Sequence, residues 1–473
     1  MELVDSCNAF DTVSHGHQVE CDAANCSGRR TPASQMKQCG AKGLRPKGRI
    51  EVIKNLLKAA LLSTMLFATA AQAKETVVWW DFLGGGDGVR MKQLIADFNK
   101  EHADKIEIQA TTLEWGVPFY TKVQTSSAVG EAPDIMTYHA SRIPLALSQG
   151  ILQEITPEDY KTMGLSKADY PDAIWNAITE GGKQYAVPLD THPIVLYYNK
   201  DILGKAGLLD DKGLPKGLNG IENFKAALTK AKGAGAKWGI AGVTADGNFM
   251  FRTIYSLMGQ QDGQLMTDGK FLTGDNPKKL ENALAVLSDW TKSGLQSPYT
   301  DYPSAVALFT SGSAAMMING VWEVPTMTDL KAKGKLFEWG AVELPTLFAH
   351  PSTYSDSHTF AIPVNKGKTA TPEKHGATLE VMSWMDKHSL FWATAGHIPA
   401  YGPVRATDEY KKMQPNATYS PLTANMIFDP KSKLFGVAGP VFDVMSTYFV
   451  PTLNGEMDPA QAVEKIKTDL GKM

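Results

Sequence analysis

Residues 75–112 read ETVVWWDFLGGGDGVRMKQLIADFNKEHADKIEIQATT, and the order of signals in them sets the fold class. Thr76–Trp80 is a run of β-branched and aromatic residues, the composition of a buried strand. Leu83–Gly88 reads as a glycine-rich loop. Val89–Asn99 then places Met91, Leu94, Ile95 and Phe98 at the spacing of one helix face. Ile106–Thr111 alternates as a second strand. Strand, helix and strand in this order form a βαβ unit, which calls for parallel strands with helical crossovers.

The alternation continues downstream. Val117–Val129 reads as a helix stopped by Gly130, and Pro133–Tyr138 as a short strand feeding a loop at His139. Gln184–Pro188 and Val195–Tyr198 are two more strands, with a polar break, Leu189–Pro193, inside the apolar run. Helical periodicity marks Ile221–Lys232, Phe249–Met258, Pro277–Lys292 and Ser304–Thr310. Ala314–Ile318 is a buried strand ended by Asn319-Gly320; Trp339–Val342 and Thr359–Pro363 are further strands. Pro372–Met385, Lys433–Thr447 and Pro459–Leu470 read as helices, the last two separated by an Asn454-Gly455 turn. No internal repeat is present.

Upstream, Lys54–Ala73 reads KNLLKAALLSTMLFATAAQA. Two lysines precede an apolar run from Ala59 to Ala70, which ends in Ala71-Gln72-Ala73. That is the order of a secretory signal with an A-x-A cleavage site. The run is shorter than the roughly 20 residues that a bilayer span needs. Residues 52–73 are therefore expected to be a cleaved signal peptide. Residues 1–51 hold all four cysteines and a basic tract at Arg45–Arg49, without apolar periodicity. They read as an upstream extension outside the fold. A zinc cluster is the competing reading of the cysteines, but no C-x-x-C pair supports it.

Cleavage after Ala73 leaves 400 residues and no cysteine. Such a chain makes no disulfide and relies on its core, and its size suits two lobes. The front carries nine of the 47 Lys/Arg and six of the 50 Asp/Glu, so the remainder holds 38 basic and 44 acidic side chains, a formal charge of −6. That balance argues against a nucleic-acid partner. No cysteine directly follows the signal, so no lipid anchor is expected. The expected location is the periplasm.

Six phrases then fall in order: Trp80-Asp81-Phe82; Gly130–Ile135; Tyr185–Pro188 leading to Leu196–Lys200; Phe309–Met316; Asn319–Trp322; and Gly396–Ala400. Together they resemble the extracellular solute-binding proteins of ABC importers, in the sugar-binding group that includes maltose-binding protein. The resemblance covers the chain from Lys74 to the C-terminus. Much of it is fold grammar, such as a Gly-x-x-Pro-Asp phrase that stops a helix and starts a strand. It implies an α/β fold of two lobes, each a mostly parallel sheet flanked by helices, with the ligand cleft between them. The first lobe would take residues 74–190 and 357–401, and the second 195–346 and 405–473. Hinges would fall near 190–195, 346–357 and 401–405, and the lobes would close on ligand. The implied partners are a carbohydrate ligand and the permease subunits of an ABC importer. The chain would be a monomer without a cofactor.

A sugar site needs aromatic faces for the ring C–H groups and paired polar groups for the hydroxyls. These belong on loops at the carboxyl ends of strands. Phe82 and Asp87 follow the first strand, and a plain turn is the competing reading there. His139 ends another strand, beside Ser141 and Arg142. Asp190 and His192 interrupt an apolar stretch where the family's chain crosses between lobes, and buried polar groups need partners. A ligand can be that partner; so can a salt bridge between the two. Asn248 and Arg252 open a helix whose N-terminal turn offers free N–H groups. Trp322 and Glu323 follow Asn319-Gly320, where the resemblance implies a tryptophan stacked on a sugar ring. Asp356 and His358 sit at the second crossing. His397 and Tyr401 bracket Pro399-Ala400. The family often has arginine after Pro-Ala, and here Tyr401 stands in its place. Arg405 is the candidate partner of a charged sugar, by bidentate pairing.

Asp, Glu and His loops also suit a glycosidase or lyase. No G-x-S-x-G, H-E-x-x-H or P-loop occurs after residue 73. The expectation is a binder rather than an enzyme, with a secreted polysaccharide-active enzyme as the alternative, or a receptor for a peptide or polyamine. No His/Asp/Glu group stands at metal-ligand spacing, so no metal site is expected.

Overall fold

The computed structural model describes residues 74–473. The signal peptide and the upstream extension lie outside the described residues.

The first sheet has five strands in the order Ile106–Thr112, Glu75–Asp81, Ile135–His139, His358–Ala361 and Val187–Pro188. The first three run parallel, with Trp79 beside Ala110 on one side and Ile135 on the other. His358–Ala361 returns from far along the chain and pairs antiparallel with both neighbours. The second sheet has four strands in the order Trp339–Val342, Ile194–Asn199, Ala314–Gly320 and Trp238–Ala241. Ile194–Asn199 is antiparallel to both neighbours, and Ala314–Gly320 is parallel to Trp238–Ala241.

Each sheet has its own core. One gathers Trp79, Phe98, Phe119 and Trp392 with apolar residues of 77–189 and 360–400. The other gathers Tyr197, Phe251, Trp290 and Phe442 with residues of 194–354 and 410–470. Ala393 and Ile398 are exceptions that pack in the second core. The chain therefore passes between the sheets around residues 189–194, again around 354–360, and a third time after Ala400. Among the described residues, no helix is long and apolar enough to cross a membrane.

Three local readings change. The expected glycine loop is the first turn of a helix that spans Gly85–Glu101. Gly88 N–H donates to Gly84 O at 3.0 Å, and a Cβ on Gly88 would stand 2.4 Å from Leu83 O. Glycine lets the helix start tight against the strand end, and Asp87 in its first turn suits the helix dipole. The expected helix Lys433–Thr447 starts instead at Pro440 and runs to Leu453. Gly436, at φ +97, and Gly439 break the chain before it, and Pro440 is a natural first helical residue. The expected strand Gln184–Pro188 is split: Lys183–Gln184 closes a hairpin on Thr179–Glu180, and Val187–Pro188 joins the main sheet.

Candidate functional site

A cavity of about 630 Å³ lies between the two sheets. The first sheet contributes Phe82–Asp87 after its strand Glu75–Asp81, Thr112–Trp115 after Ile106–Thr112, and His139 at the end of Ile135–His139. The second contributes Asp246, Asn248, Phe249 and Arg252 at the start of helix Gly247–Gly259, Tyr302 at the start of helix Tyr302–Thr310, and Trp322, Glu323 and Thr326 after Ala314–Gly320. His192 and His358, from the first two crossings, complete the lining. Carboxyl ends of strands supply most of these groups, as open α/β sheets dictate.

The floor is organised by Asp190, which is fully buried. Trp392 Nε1 donates to its Oδ2 at 2.7 Å, and His358 Nδ1 to the same oxygen at 2.9 Å. His358 N–H and His192 Nδ1 both reach Oδ1 at 3.0 Å. His397 Nδ1 stands 3.2 Å from Oδ2, and its Nε2 lies 3.0 Å from Asp87 Oδ2. Burial alone would raise the Asp190 carboxyl. The neighbouring His358 and His397, with the hydrogen bonds from His192 and His358, hold it well below the usual carboxylate range.

The histidines divide by surroundings. Burial and the adjacent His358 push His192 down to about 3, against the pull of Asp190. Burial, His358 and His192 also hold His139 well below its ordinary value. His397 goes the other way: burial would lower it, but Asp87 and Asp190 flank it and raise it. Its ring also stacks on Trp392, centroids 4.6 Å apart. The result is a buried imidazole between two carboxylates that favour its charged form, below two rings, His139 and His192, whose surroundings disfavour theirs. His139 is fixed by Tyr120, whose hydroxyl lies 2.6 Å from Nδ1, and by a parallel stack on Phe82 at 4.6 Å.

The opposite wall carries a second network. Trp322 Nε1 donates to the Tyr302 hydroxyl at 2.7 Å, and that hydroxyl reaches Glu323 Oε1 at 2.5 Å. Burial raises the Glu323 carboxyl despite hydrogen bonds from Tyr302 and Thr326. These bonds lock the indole of Trp322 at an angle to the floor, 5.9 Å from the His192 ring. Arg252 donates to Asn248 O at 2.6 Å, while its Nε is buried without a partner; so are Asp87 Oδ1 and Asn248 Oδ1. Rings from both sheets thus face polar groups with spare hydrogen-bonding capacity.

Nine residues singled out from sequence meet at this cavity: Phe82, Asp87, His139, His192, Asn248, Arg252, Trp322, Glu323 and His358. Asp190 and His397 lie beneath it and act on the lining through hydrogen bonds and charge. Three expectations are corrected. Asp356 is turned away, accepting from Ser141 Oγ at 2.5 Å and from the Ser357 N–H at 2.8 Å. Tyr401 packs near Tyr170 within the first core, and Arg405 sits in the short helix Gly402–Arg405; neither lines the cavity. The expectation that no metal-type cluster exists is also corrected. Donor atoms of Asp190, His192, His358 and His397 lie within 4.8 Å of one another, as do those of His139, His192 and Asp356. Chain folding gathers them from positions that no local spacing connects.

Sequence reasoning missed Glu114, Trp115, Asp246, Tyr302 and Thr326. Trp115 carried a signal: an aromatic residue just past a strand end and just before Gly116. Tyr302 was hidden two residues upstream of the expected start at Ser304, because Asp301 caps the helix and Tyr302 and Pro303 form its first two positions.

Two sheets with separate cores, three chain crossings and a cavity at the seam define a two-lobed binding protein. The chain belongs to the family of bacterial extracellular solute-binding proteins, which it matches over residues 93–412. It is similar to the galactooligosaccharide-binding protein of Bacillus subtilis, with 25% identity over 59% of this chain and 62% of that one. It is also similar to the maltodextrin-binding protein MdxE of the same organism, with 30% identity over 46% of this chain and 49% of that one. The chain thus spans between about half and three fifths of the length of these relatives. The GacH receptor of Streptomyces glaucescens, solved unliganded and with acarbose, shares the fold at a TM-score of 0.71 and 19% identity, over 85% of this chain and 98% of that one.

Proposed function

We propose that the chain is the receptor of an ABC importer: it captures a sugar (an oligosaccharide, glycoside or sugar derivative) between its lobes and delivers it to membrane permease subunits. It acts as a cleaved, soluble monomer in the periplasm. The observation that carries this reading is the cavity at the seam, where Phe82, Trp115 and Trp322 offer ring faces among unpartnered polar atoms. Its volume lies within the range of roughly 300–1,000 Å³ common to small-molecule sites. The names of the Bacillus subtilis relatives, which specify a galactooligosaccharide and a maltodextrin, support the same class of ligand.

Charge narrows the class. Asp87, Glu114, Asp246 and Glu323 line the cavity against the single basic residue Arg252. An anionic sugar would meet more repulsion than attraction there, so the reading favours uncharged sugars. Ligand binding would draw the lobes together about the crossings at residues 189–194 and 354–360, provided the ligand contacts the closed state more fully. The role is capture without chemical change.

Thermal-shift screening against neutral, anionic and amino sugars tests this, because a ligand of the folded state raises apparent stability. A neutral oligosaccharide should raise the melting temperature, and Trp322→Ala should weaken its binding about tenfold or more, the loss of a stacked ring. Recovery of the sugar intact after incubation is expected; cleavage products would move the reading to a glycosidase or lyase. No shift with any sugar would overturn it.

A further inference from the structure

We propose that His139 and His192 together read one free hydroxyl group of the bound sugar, His192 accepting its hydrogen and His139 donating to its oxygen, with Asp190 and Tyr120 fixing which ring nitrogen carries the hydrogen. The inference rests on the sugar-receptor reading above and names the chemistry that the cavity floor selects. His192 makes one side-chain hydrogen bond among the described residues, from Nδ1 to Asp190 Oδ1 at 3.0 Å. Asp190 is held in its ionised form, and a carboxylate only accepts, so the hydrogen of that bond sits on Nδ1. Burial and the adjacent His358 hold His192 down to about 3, so near neutral pH the ring carries a single hydrogen. Its Nε2 is then a bare lone pair.

His139 is the mirror case. Its one side-chain bond joins Nδ1 to the Tyr120 hydroxyl at 2.6 Å, and that hydroxyl has no other partner among the described residues. Tyr120 is 5% exposed, so its O–H needs an acceptor, and Nδ1 is the one within reach. Burial, with His358 and His192 beside it, keeps the His139 ring neutral. With Nδ1 accepting, its hydrogen sits on Nε2. Both residues line the cavity. Phe82 stacks on the His139 ring at 4.6 Å and His358 on the His192 ring at 4.1 Å, so neither turns freely. The planes of His139 and His192 stand at 80°, and a nitrogen of one lies within 4.8 Å of a nitrogen of the other. An oxygen between two such atoms reaches both at an ordinary hydrogen-bond length of about 2.7–3.0 Å. Among sugar substituents a hydroxyl serves this pair, because one atom both donates and accepts. An ether oxygen, a fluorine or a carboxylate only accepts, and an ammonium only donates.

Long-range proton–nitrogen correlation on the full chain, labelled with nitrogen-15 histidine, reads the two tautomers directly at neutral pH. His192 should show a pyridine-type Nε2 and a pyrrole-type Nδ1, and His139 the reverse. His192→Gln and His139→Gln assign the signals by removing them. Asp190→Ala should turn the His192 pattern over, since the hydrogen then moves to Nε2. A crystal structure of the free wild-type chain should place one water oxygen within hydrogen-bond reach of both Nε2 atoms, and this measurement needs no variant. Calorimetry then uses neutral gluco- and galacto-oligosaccharides of two to four rings, with the monodeoxyfluoro series of whichever binds. At one position fluorine should weaken binding about tenfold or more, because it leaves the His192 lone pair buried without a donor. A reversed tautomer on either wild-type ring, an unchanged His192 pattern in Asp190→Ala, no water shared by the two rings, or a fluorine series that binds as tightly as its parent would each overturn this inference and leave the receptor reading standing. If the tautomers are as stated and no sugar binds, the receptor reading itself falls, and the hydroxyl assignment with it.

Discussion

Replacing Asp190 by alanine removes the acceptor on which the first two chain crossings converge. Four hydrogen bonds end on this carboxylate, from Trp392 Nε1, His192 Nδ1, His358 Nδ1 and the His358 N–H. The two imidazoles can move a proton to Nε2 and cease to be donors. The indole N–H and the backbone N–H cannot, and each costs about 1–3 kcal/mol when left buried and unmade. His397 loses one of its two flanking carboxylates, and breaking a buried ion pair costs about 3–5 kcal/mol when nothing else compensates. Asp87 still compensates part of that charge. The two unmade hydrogen bonds alone amount to about 2–6 kcal/mol, and the partly compensated ion pair adds to that loss. Urea unfolding followed by tryptophan fluorescence reads it as a lower midpoint at an unchanged slope. A loss under about 1 kcal/mol, the size of an ordinary surface substitution, would refute the idea that Asp190 organises the floor.

Three further outcomes are expected. His192 titrates near 3 in the folded chain and near 6.5 unfolded, so the unfolded state binds the extra proton between those values. Stability from this residue is complete above about 6.5 and falls as pH drops toward 3; His192→Gln should flatten that acid limb in unfolding measured across pH. His397 has the opposite sign: its folded value is raised, so its contribution is full below about 6.5 and is lost as pH rises through that folded value. His397→Gln should therefore cost more stability at pH 6 than at pH 9, and equal losses at both would rule out a cationic ring there. Gly396 sits at φ +89, and a Cβ on it would stand 2.0 Å from Val321 O. Gly396→Ala should destabilise by about 2 kcal/mol or more, seen as a lower melting temperature.

The strands of the first sheet were legible because β-branched and aromatic runs announce themselves locally. The helix at Gly85 was less so: glycine signals a turn, and only its close approach to Leu83 shows why a helix needs glycine there. Lys433–Thr447 misled because Leu434, Val437 and Val441 mimic a helical stripe, while Gly436 and Gly439 break the backbone. At the site, Phe82, His139 and Trp322 were found because they end strands, which is a local property. Asp190 was found as a polar break, but its role was not. Its partners His358, Trp392 and His397 lie more than 160 positions away, and only tertiary structure can bring them together. Arg405 attracted notice by charge alone, and charge says nothing about which way a short helix faces.

His192 and His358 belong to two of the three stretches of backbone that join one sheet to the other, and a single carboxylate ties both together. Whatever touches these rings pulls on the joint itself. Recognition and bending would then share the same few atoms, with no relay between them, and a change made there to retune preference should also retune how fast the molecule opens and shuts.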